Sequence, residues 1–354
     1  MVTKETDAAK TEAFAGKMMG ILNAGFLAPV ISVGHRLELF DELSASGPVT
    51  SDGLAERTGL HNRYVREWLG AMVVGGLIEY EPESQRYGLP AEHAAFLTRA
   101  AGPDNMAGFT QYVALVGNVE DQLIDAFRNG GGVPYSAYPK FQELQGEESA
   151  RLFDAALVDG ILPMSGVVDQ LVAGADVADV GTGSGHAVTV MANEYKKSRF
   201  TGFDFSDEGV AAGRREVNEL GLENAAFVTH NLARPLPGKY DMITAFDVIH
   251  DLAKPREVLK NIAQALAPGG VFLMMDMAAS SKLEENIDHP LGPLMYSASI
   301  FHCMTVSLSQ GGEGLGTVWG EQKAQSYLKD AGFGQIEVNH IEGDPFHVVY
   351  ACRI

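Results

Sequence analysis

The sequence is poor in cysteine and in positive charge. Only 2 of its 354 residues are cysteine, too few for a disulfide framework, so we expect a protein of the reducing cytoplasm. The 26 lysine and arginine residues are outnumbered by 46 aspartate and glutamate residues, which leaves a formal net charge of -20. Because nucleic-acid affinity depends on cationic side chains that release counterions from phosphates, this balance argues against DNA or RNA as a partner or substrate.

Membrane spans and metal sites are not expected either. The apolar region Met18 to Val33 is interrupted by Asn23 and Pro29 and is short for a bilayer span, so we expect buried helices at a subunit contact. The acidic N-terminus is unlike a signal peptide. No H-x-x-x-H or C-x-x-C motif and no carboxylate cluster with ligand spacing occurs, so we assign no metal.

A glycine-rich turn after a short apolar strand is the most informative motif that is present. Val177–Val180 reads as the strand, and Asp179, Gly181, Gly183 and Gly185 form an acidic-x-G-x-G-x-G pattern. Such glycines let backbone N–H groups approach a ligand without interference from Cβ atoms. A dinucleotide fingerprint needs a glycine where His186 stands, so an NAD site is disfavoured.

Strands and helices alternate after this turn and predict a parallel α/β sheet. The second strand ends at Asp204, 19 residues after Gly185, where doubly wound units place a carboxylate on ribose hydroxyls. The next three strands end near Asn231, Asp247 and Asp276. Ligands of such sheets bind at the carboxyl ends of the strands.

Together these motifs resemble the class I S-adenosylmethionine (SAM) dependent methyltransferases over residues 165–354. The resemblance implies a Rossmann-like, doubly wound, seven-stranded sheet that ends in an antiparallel hairpin, with SAM as cofactor and S-adenosyl-L-homocysteine (SAH) as product. The cofactor-binding residues that it implies are Asp179, Gly181, Thr182, Gly183, Gly185, Asp204, Phe205, Asn231, Leu232 and Phe246. Asp204 as a helix cap and Asn231 as an ordinary turn residue are the alternatives.

The segment Val248–Leu252 is similar to the His-Asp-Trp segment of plant-type small-molecule O-methyltransferases, with Leu252 in place of the tryptophan. The resemblance implies that His250 deprotonates the acceptor hydroxyl and that Asp251 positions the bound groups. Histidine suits this role because its ordinary pKa is near neutrality. The alternative is a histidine that only lines the cofactor pocket or caps the next helix, and we identify no second acidic residue that would orient His250.

Several side chains outside the strands are candidates for the acceptor pocket. Tyr135 and Tyr138 follow the segment Gly130–Pro134, which either folds over the active site or only connects two domains. Met295, Tyr296 and Met304 are the other candidates, with packing in the core as their alternative role. The apolar neighbours of Cys303 favour an inert thiol, and the glycines of residues 309–316 predict a mobile loop.

The first part of the chain has the apolar periodicity of a winged helix over residues 36–98. It resembles the N-terminal dimerisation domain of plant-type and bacterial O-methyltransferases, which implies a homodimer. We therefore expect an N-terminal and winged-helix domain at 1–100, a helical linker or lid at 101–164, and the methyltransferase domain at 165–354.

Three functions remain open from the sequence. The first is SAM-dependent transfer of a methyl group to a hydroxyl of a small molecule. The second is S-methylation of a thiol or sulfide, because a thiol ionises near pH 8.5 without a strong base. The third is a SAM-binding regulator without catalysis, which would use the winged helix on DNA or on a protein partner.

Overall fold

One long helix, α1 (Ala8–Arg36), begins the N-terminal unit, with the carboxylate of Asp7 accepting a hydrogen bond from the backbone N–H of Lys10. The computed structural model describes residues 6–341 and 343–354. The side chains of Met19 and Phe26 are 59% and 80% exposed, so the expectation of buried helices over Met18–Val33 is wrong for the single chain. The cause is that the unit packs only against the last third of α1, around Leu27 and Ile31. By length and composition alone, α1 is the one helix of the described residues that could cross a membrane.

The remainder of this unit contains the predicted winged helix. Its elements are α2 (Leu39–Ser46), α3 (Ser51–Thr58), α4 (Asn62–Val74), the antiparallel hairpin β1 (Glu79–Glu81) and β2 (Arg86–Gly88), α5 (Ala91–Leu97), α6 (Met106–Phe109) and α7 (Gln111–Gly117). Gly34 permits the close approach of α1 and α4, because a Cβ there would lie 2.5 Å from the indole of Trp68. On α4, Arg63 forms an ion pair with Glu67. The positive charge of Arg63, which could otherwise bind a DNA phosphate, is thereby neutralised within the helix.

The second unit, Asn118–Ile354, contains a seven-stranded sheet and its covering helices. Before the sheet come α8 (Glu120–Asn129), α9 (Phe141–Ala156) and α10 (Val168–Ala173). The sheet region comprises β3 (Asp176–Val180), α11 (His186–Glu194), β4 (Arg199–Asp204), α12 (Asp207–Glu219), β5 (Ala225–Thr229), β6 (Tyr240–Phe246), α13 (Pro255–Ala265), β7 (Leu266–Met277), α14 (Gly292–Ala298), α15 (Met304–Ser309), α16 (Glu321–Ala331), β8 (Gln335–His340) and β9 (His347–Arg353). The predicted linker, residues 101–164, is divided between the two units, whose boundary lies after Gly117.

The strand order is β5-β4-β3-β6-β7-β9-β8, parallel except for β9, which is antiparallel to both of its neighbours. This confirms the predicted doubly wound sheet with a closing hairpin. The order reverses between β3 and β6, because β4 and β5 lie on one side of β3 while β6 and β7 lie on the other. A crevice outside the carboxyl ends of the strands is expected at such a switch point, and the glycine-rich turn follows β3 there.

Candidate active site

The turn between β3 and α11 depends on glycine at three positions. Gly181, Gly183 and Gly185 have φ values of 71°, 56° and 89°, in the left-handed region that favours glycine. A Cβ on Gly181 would lie 2.3 Å from the side chain of Val248, and one on Gly185 would lie 2.2 Å from the ring of Phe227. A Cβ on Gly183 would meet no atom within 4 Å. The turn is therefore tightly packed at both ends and open in its middle.

Two buried carboxylates hold this turn. Asp204, at the end of β4, accepts hydrogen bonds from the backbone N–H groups of Gly183 at 2.9 Å and Ser206 at 2.8 Å. Burial raises its pKa, although these hydrogen bonds oppose the shift. Asp179 accepts a 2.6 Å hydrogen bond from the hydroxyl of Thr244 on β6, and burial raises the pKa of Asp179 to about 6. Asp179 thus ties β3 to β6 beneath the turn, while Asp204 shapes the turn itself.

The other residues predicted to bind the cofactor occupy varied settings. Thr182 and Phe205 belong to the two turns after β3 and β4, and Phe205 is 61% exposed. The Asn231 side chain accepts a hydrogen bond from the Ala233 N–H at 3.0 Å, as a turn residue would. Leu232 is buried in the core, and Phe246 lies on β6 with its ring 5.1 Å from that of Phe153.

His250 and Asp276 form a buried pair at the ends of adjacent strands. His250 lies in a short 3₁₀ turn after β6, and its Nδ1 is 2.8 Å from Oδ1 of Asp276 on β7. The same oxygen accepts hydrogen bonds from the indole of Trp319 at 3.1 Å and from the N–H of Met277 at 2.8 Å. Because the carboxylate accepts at Nδ1, the neutral imidazole carries its proton there and leaves Nε2 as the basic nitrogen.

The electrostatic setting strengthens His250 as a base. Burial alone would lower its pKa, but the negative charges of Asp276 and Cys303 outweigh burial and hold this pKa well above its ordinary value. Sequence reasoning missed Asp276 as the orienting acid. The sequence does contain a signal for this role, because Asp276 lies near the end of β7, the parallel neighbour of β6, and parallel neighbours bring their carboxyl ends together.

Two further titratable side chains complete the cluster around His250. Burial raises the pKa of Asp251 to about 7, although the charge of His250 opposes the shift. Burial also opposes ionisation of the Cys303 thiol, but the charge of His250 and hydrogen bonds to His250 and His302 lower the Cys303 pKa to about 5. Cys303 is thus next to two imidazoles, a setting that differs from the apolar one expected from its sequence neighbours.

The segment after Gly130–Gly132 lies against the helix that carries Cys303. The N–H of Val133 donates to the hydroxyl of Thr305 at 2.9 Å, and the hydroxyl of Tyr138 donates to the carbonyl of Phe301. The rings of Tyr135 and Tyr138 meet the His302 ring edge-on, with centroids at 5.4 and 4.9 Å. The segment therefore covers the His302 side of the cluster.

The remaining acceptor candidates are less closely tied to this cluster. Met295 is fully buried, and the hydroxyl of Tyr296 accepts a hydrogen bond from Asn286 at 3.3 Å. Met304 is half-buried, with its Cβ near Gly316. The glycine-rich loop predicted to be mobile is hydrogen-bonded, since Glu313 N–H donates to the Ala253 carbonyl at 3.1 Å and Gly316 N–H donates to the His250 carbonyl at 3.0 Å. It thereby anchors the turn that presents His250.

Comparison with known protein families accounts for both units. Residues 25–99 match the profile described as an Rv2258c-like winged HTH domain, and residues 171–332 match a methyltransferase domain. The chain carries a winged helix-turn-helix domain followed by a class I methyltransferase domain.

Individual relatives include O-methyltransferases. The tetracenomycin polyketide synthesis 8-O-methyl transferase TcmO of Streptomyces glaucescens is 25% identical, covering 87% of this chain and 88% of its own. Human N-acetylserotonin methyltransferase, solved in complex with SAM, superimposes with a TM-score of 0.70 at 20% identity, covering 100% of this chain and 99% of its own. A fatty-acid O-methyltransferase of Mycolicibacterium smegmatis is 31% identical over 30% of this chain and 38% of its own. Four curated relatives, including this Mycolicibacterium smegmatis enzyme, are matched by the chain over only 5% to 47% of their own length.

Proposed function

We propose that this protein is a SAM-dependent methyltransferase that methylates a hydroxyl oxygen of a small molecule and releases SAH. The observation that carries the proposal is the buried His250–Asp276 pair, with Nδ1 and Oδ1 2.8 Å apart, at the carboxyl ends of β6 and β7. The glycine-rich turn follows the adjacent strand β3. A base and a nucleoside-binding turn thus lie on the same edge of one sheet.

The residues around the turn fit the donor. The space beside Gly183, which a side chain would fill, leaves the backbone of the turn accessible to a ligand. The carboxylate of Asp204 keeps acceptor capacity for ribose hydroxyls beyond its hydrogen bonds from the backbone N–H groups of Gly183, Phe205 and Ser206. Phe205 and Asn231 follow β4 and β5 and would flank the adenine. When bound, the donor supplies a methyl group on a positively charged sulfur.

The protein's own residues prepare the acceptor. Nε2 of His250 takes the proton of the acceptor hydroxyl, and Asp276 fixes the tautomer and stabilises the imidazolium that results. Trp319 and the Met277 N–H hold Asp276 in place. Asp251, whose pKa is raised to about 7, borders the same cluster and would help to position the acceptor. A phenol ionises near pH 10, so a hydroxyl acceptor needs this base far more than a thiol does.

We further propose a cytoplasmic homodimer that forms through α1 of the N-terminal unit. The exposed apolar side chains along α1 support this, because large apolar patches on a surface mark contact sites. The ion pairs that Arg63 and Arg57 make with Glu67 and Glu42 favour a structural role for the winged helix over DNA binding.

The test is SAH formation with phenols, carboxylates, amines and thiols, beside calorimetric titration with SAM and SAH. We expect donor binding, turnover with a hydroxyl acceptor, and a fall in kcat of about 10²- to 10⁴-fold in His250→Ala with SAH binding retained. His340→Ala, a change on the exposed end of β8, is the matched control and should behave as the wild type. Absence of donor binding, or full turnover by His250→Ala, would refute the proposal.

A further inference from the structure

The helix that carries Cys303 is interrupted by a π-helical turn. The turn spans Ser299–Cys303, between α14 and α15. Such turns insert one extra residue, change the direction in which side chains point, and occur often at functional sites. This one carries both His302 and Cys303, and the charge of His250 lowers the pKa of the Cys303 thiol. His302 therefore lies one residue from a direct neighbour of the proposed base.

His302 is buried with an unused polar atom. Its residue surface is 5% exposed, and its Nε2 has no hydrogen-bond partner among the described residues. A buried polar atom without a hydrogen-bond partner destabilises the folded state, so a native site that retains one needs an explanation. The mechanism of proton removal by His250 and Asp276 makes no use of this nitrogen.

The surroundings of His302 are aromatic. The ring of Phe141 stacks on its imidazole, with centroids 3.7 Å apart and planes inclined by 11°. Tyr135 and Tyr138 approach edge-on, and the Tyr138 hydroxyl is engaged by the Phe301 carbonyl. Flat faces of this kind suit a planar ring, since aromatic pairs prefer stacked or edge-to-face contacts.

The covering segment has a place at which it can turn. Gly130 and Gly131 have φ values of 76° and 80°, and a Cβ on either would meet no atom within 4 Å. Beyond them, the segment is fixed to α15 at two points, because a Cβ on Gly132 would lie 1.9 Å from the Thr305 carbonyl oxygen and the Val133 N–H donates to the Thr305 hydroxyl. Opening of Tyr135–Phe141 requires the loss of these two contacts, and it would uncover Nε2 beside the imidazole face on which Phe141 stacks.

We propose that His302 recognises a second oxygen on a planar aromatic acceptor, with Tyr135, Tyr138 and Phe141 closing over the acceptor ring. The inference rests on the proposed function and names its substrate class: an aromatic hydroxyl compound that carries a neighbouring hydroxyl or carbonyl oxygen. His250 takes the proton of one oxygen, and Nε2 of His302 hydrogen-bonds to the other. His302 is thus a specificity-determining residue.

The experiment compares acceptors that differ by one oxygen. Catechol and 1-hydroxyanthraquinone carry the second oxygen, whereas phenol and 2-hydroxyanthraquinone lack a neighbouring one. We expect the wild type to favour the first pair by about 10- to 100-fold in kcat/KM, the effect of one good hydrogen bond. In His302→Phe this ratio should fall to about 1, mainly through a higher KM. His302→Gln, which retains a donor, should restore part of the ratio, and His340→Gln should leave it unchanged.

Binding to the SAH-loaded protein supplies a readout independent of turnover. In calorimetry, we expect the SAH-loaded wild type to bind catechol and 1-hydroxyanthraquinone more tightly than phenol and 2-hydroxyanthraquinone. We expect His302→Phe to lose this difference in affinity. The inference is overturned if His302→Phe weakens both classes of probe equally, changes neither, or if the SAH-loaded wild type binds no two-oxygen probe. His250-dependent turnover of one-oxygen acceptors alone would retain the proposed function and refute this inference, whereas failure to bind SAM or SAH would refute both.

Discussion

At the scale of single residues, the pairing of His250 with Asp276 decides how the site titrates. Burial lowers the pKa of His250, but the charges of Asp276 and Cys303 raise it well above its ordinary value near 6.5. A general base acts only when it is unprotonated, so activity must be low at acidic pH and must rise as His250 loses its proton. The rising limb of kcat/KM should therefore lie above pH 6.5.

Asp276→Asn tests this assignment. Removing the carboxylate charge removes the largest influence that raises the His250 pKa, so the rising limb should move to lower pH. The plateau rate should nevertheless fall by about 10²- to 10⁴-fold, because an amide can donate to Nδ1 and stabilise the wrong tautomer. The measurement is kcat/KM against pH. Asp330→Asn removes a surface partner of Arg256 and serves as the control. A limb that stays in place or moves upward would show that Asp276 does not set this pKa.

The same pair shows what sequence reasoning reaches and what it does not. His250 is found from its neighbours in the chain, since Val248–Leu252 is a recognisable local pattern. Asp276 lies 26 residues away, and its role depends on two strands ending side by side. The effect of Cys303 is likewise invisible in the sequence, because the apolar residues next to it in the chain differ from the imidazoles next to it in space.

At the scale of elements, the glycines of the turn after β3 have two different roles, packing against neighbouring side chains and leaving space for a ligand. Gly181 and Gly185 are required because neighbouring side chains occupy the space that a Cβ would need. Gly183 has a positive φ but open space. The chain pattern identifies all three glycines, but only the structure assigns them different roles.

Alanine substitutions at Gly185 and at Gly183 should have different effects. Gly185→Ala combines a φ of 89° with a contact of 2.2 Å to Phe227, so it should lower the free energy of unfolding by about 1–3 kcal/mol or more. Gly183→Ala should cost less, about 1 kcal/mol for its φ of 56°, but should weaken SAH binding because its methyl group enters the donor space. Denaturant unfolding and SAH calorimetry measure the two effects. Equal destabilisation by both variants, with equal SAH affinity, would contradict the distinction.

Strands and helices were predictable for a physical reason. Short apolar segments that end in polar residues specify β3 to β7 locally, and their alternation with helices dictates a parallel sheet. Whether the helix over Met18–Val33 is buried or exposed was not predictable in this way. An apolar helix has the same composition whether it is covered by its own chain or left exposed, and here most of it is exposed.

At the scale of the whole molecule, the exposed helix α1 implies assembly. Phe14, Met19, Leu22 and Phe26 are each more than half exposed in the single chain, on a protein whose charge is otherwise strongly negative. Exposed apolar side chains in this number favour burial against another surface. A second copy provides a self-complementary surface, as closed homodimers require.

Charged substitutions on α1 should therefore dissociate the dimer. We expect light scattering to give the wild type about twice the chain mass of 37.9 kDa, and the double variant Phe14→Asp with Phe26→Asp a mass near that of one chain. Leu283→Asp, at an equally exposed apolar side chain of the second unit, should remain dimeric. A monomeric wild type, or a wild type that floats with phospholipid vesicles while the double variant does not, would show that α1 serves a different contact. Since buried apolar area stabilises association by about 25 cal/mol per Å², two charges within the contact should shift the midpoint concentration upward even where dissociation is incomplete.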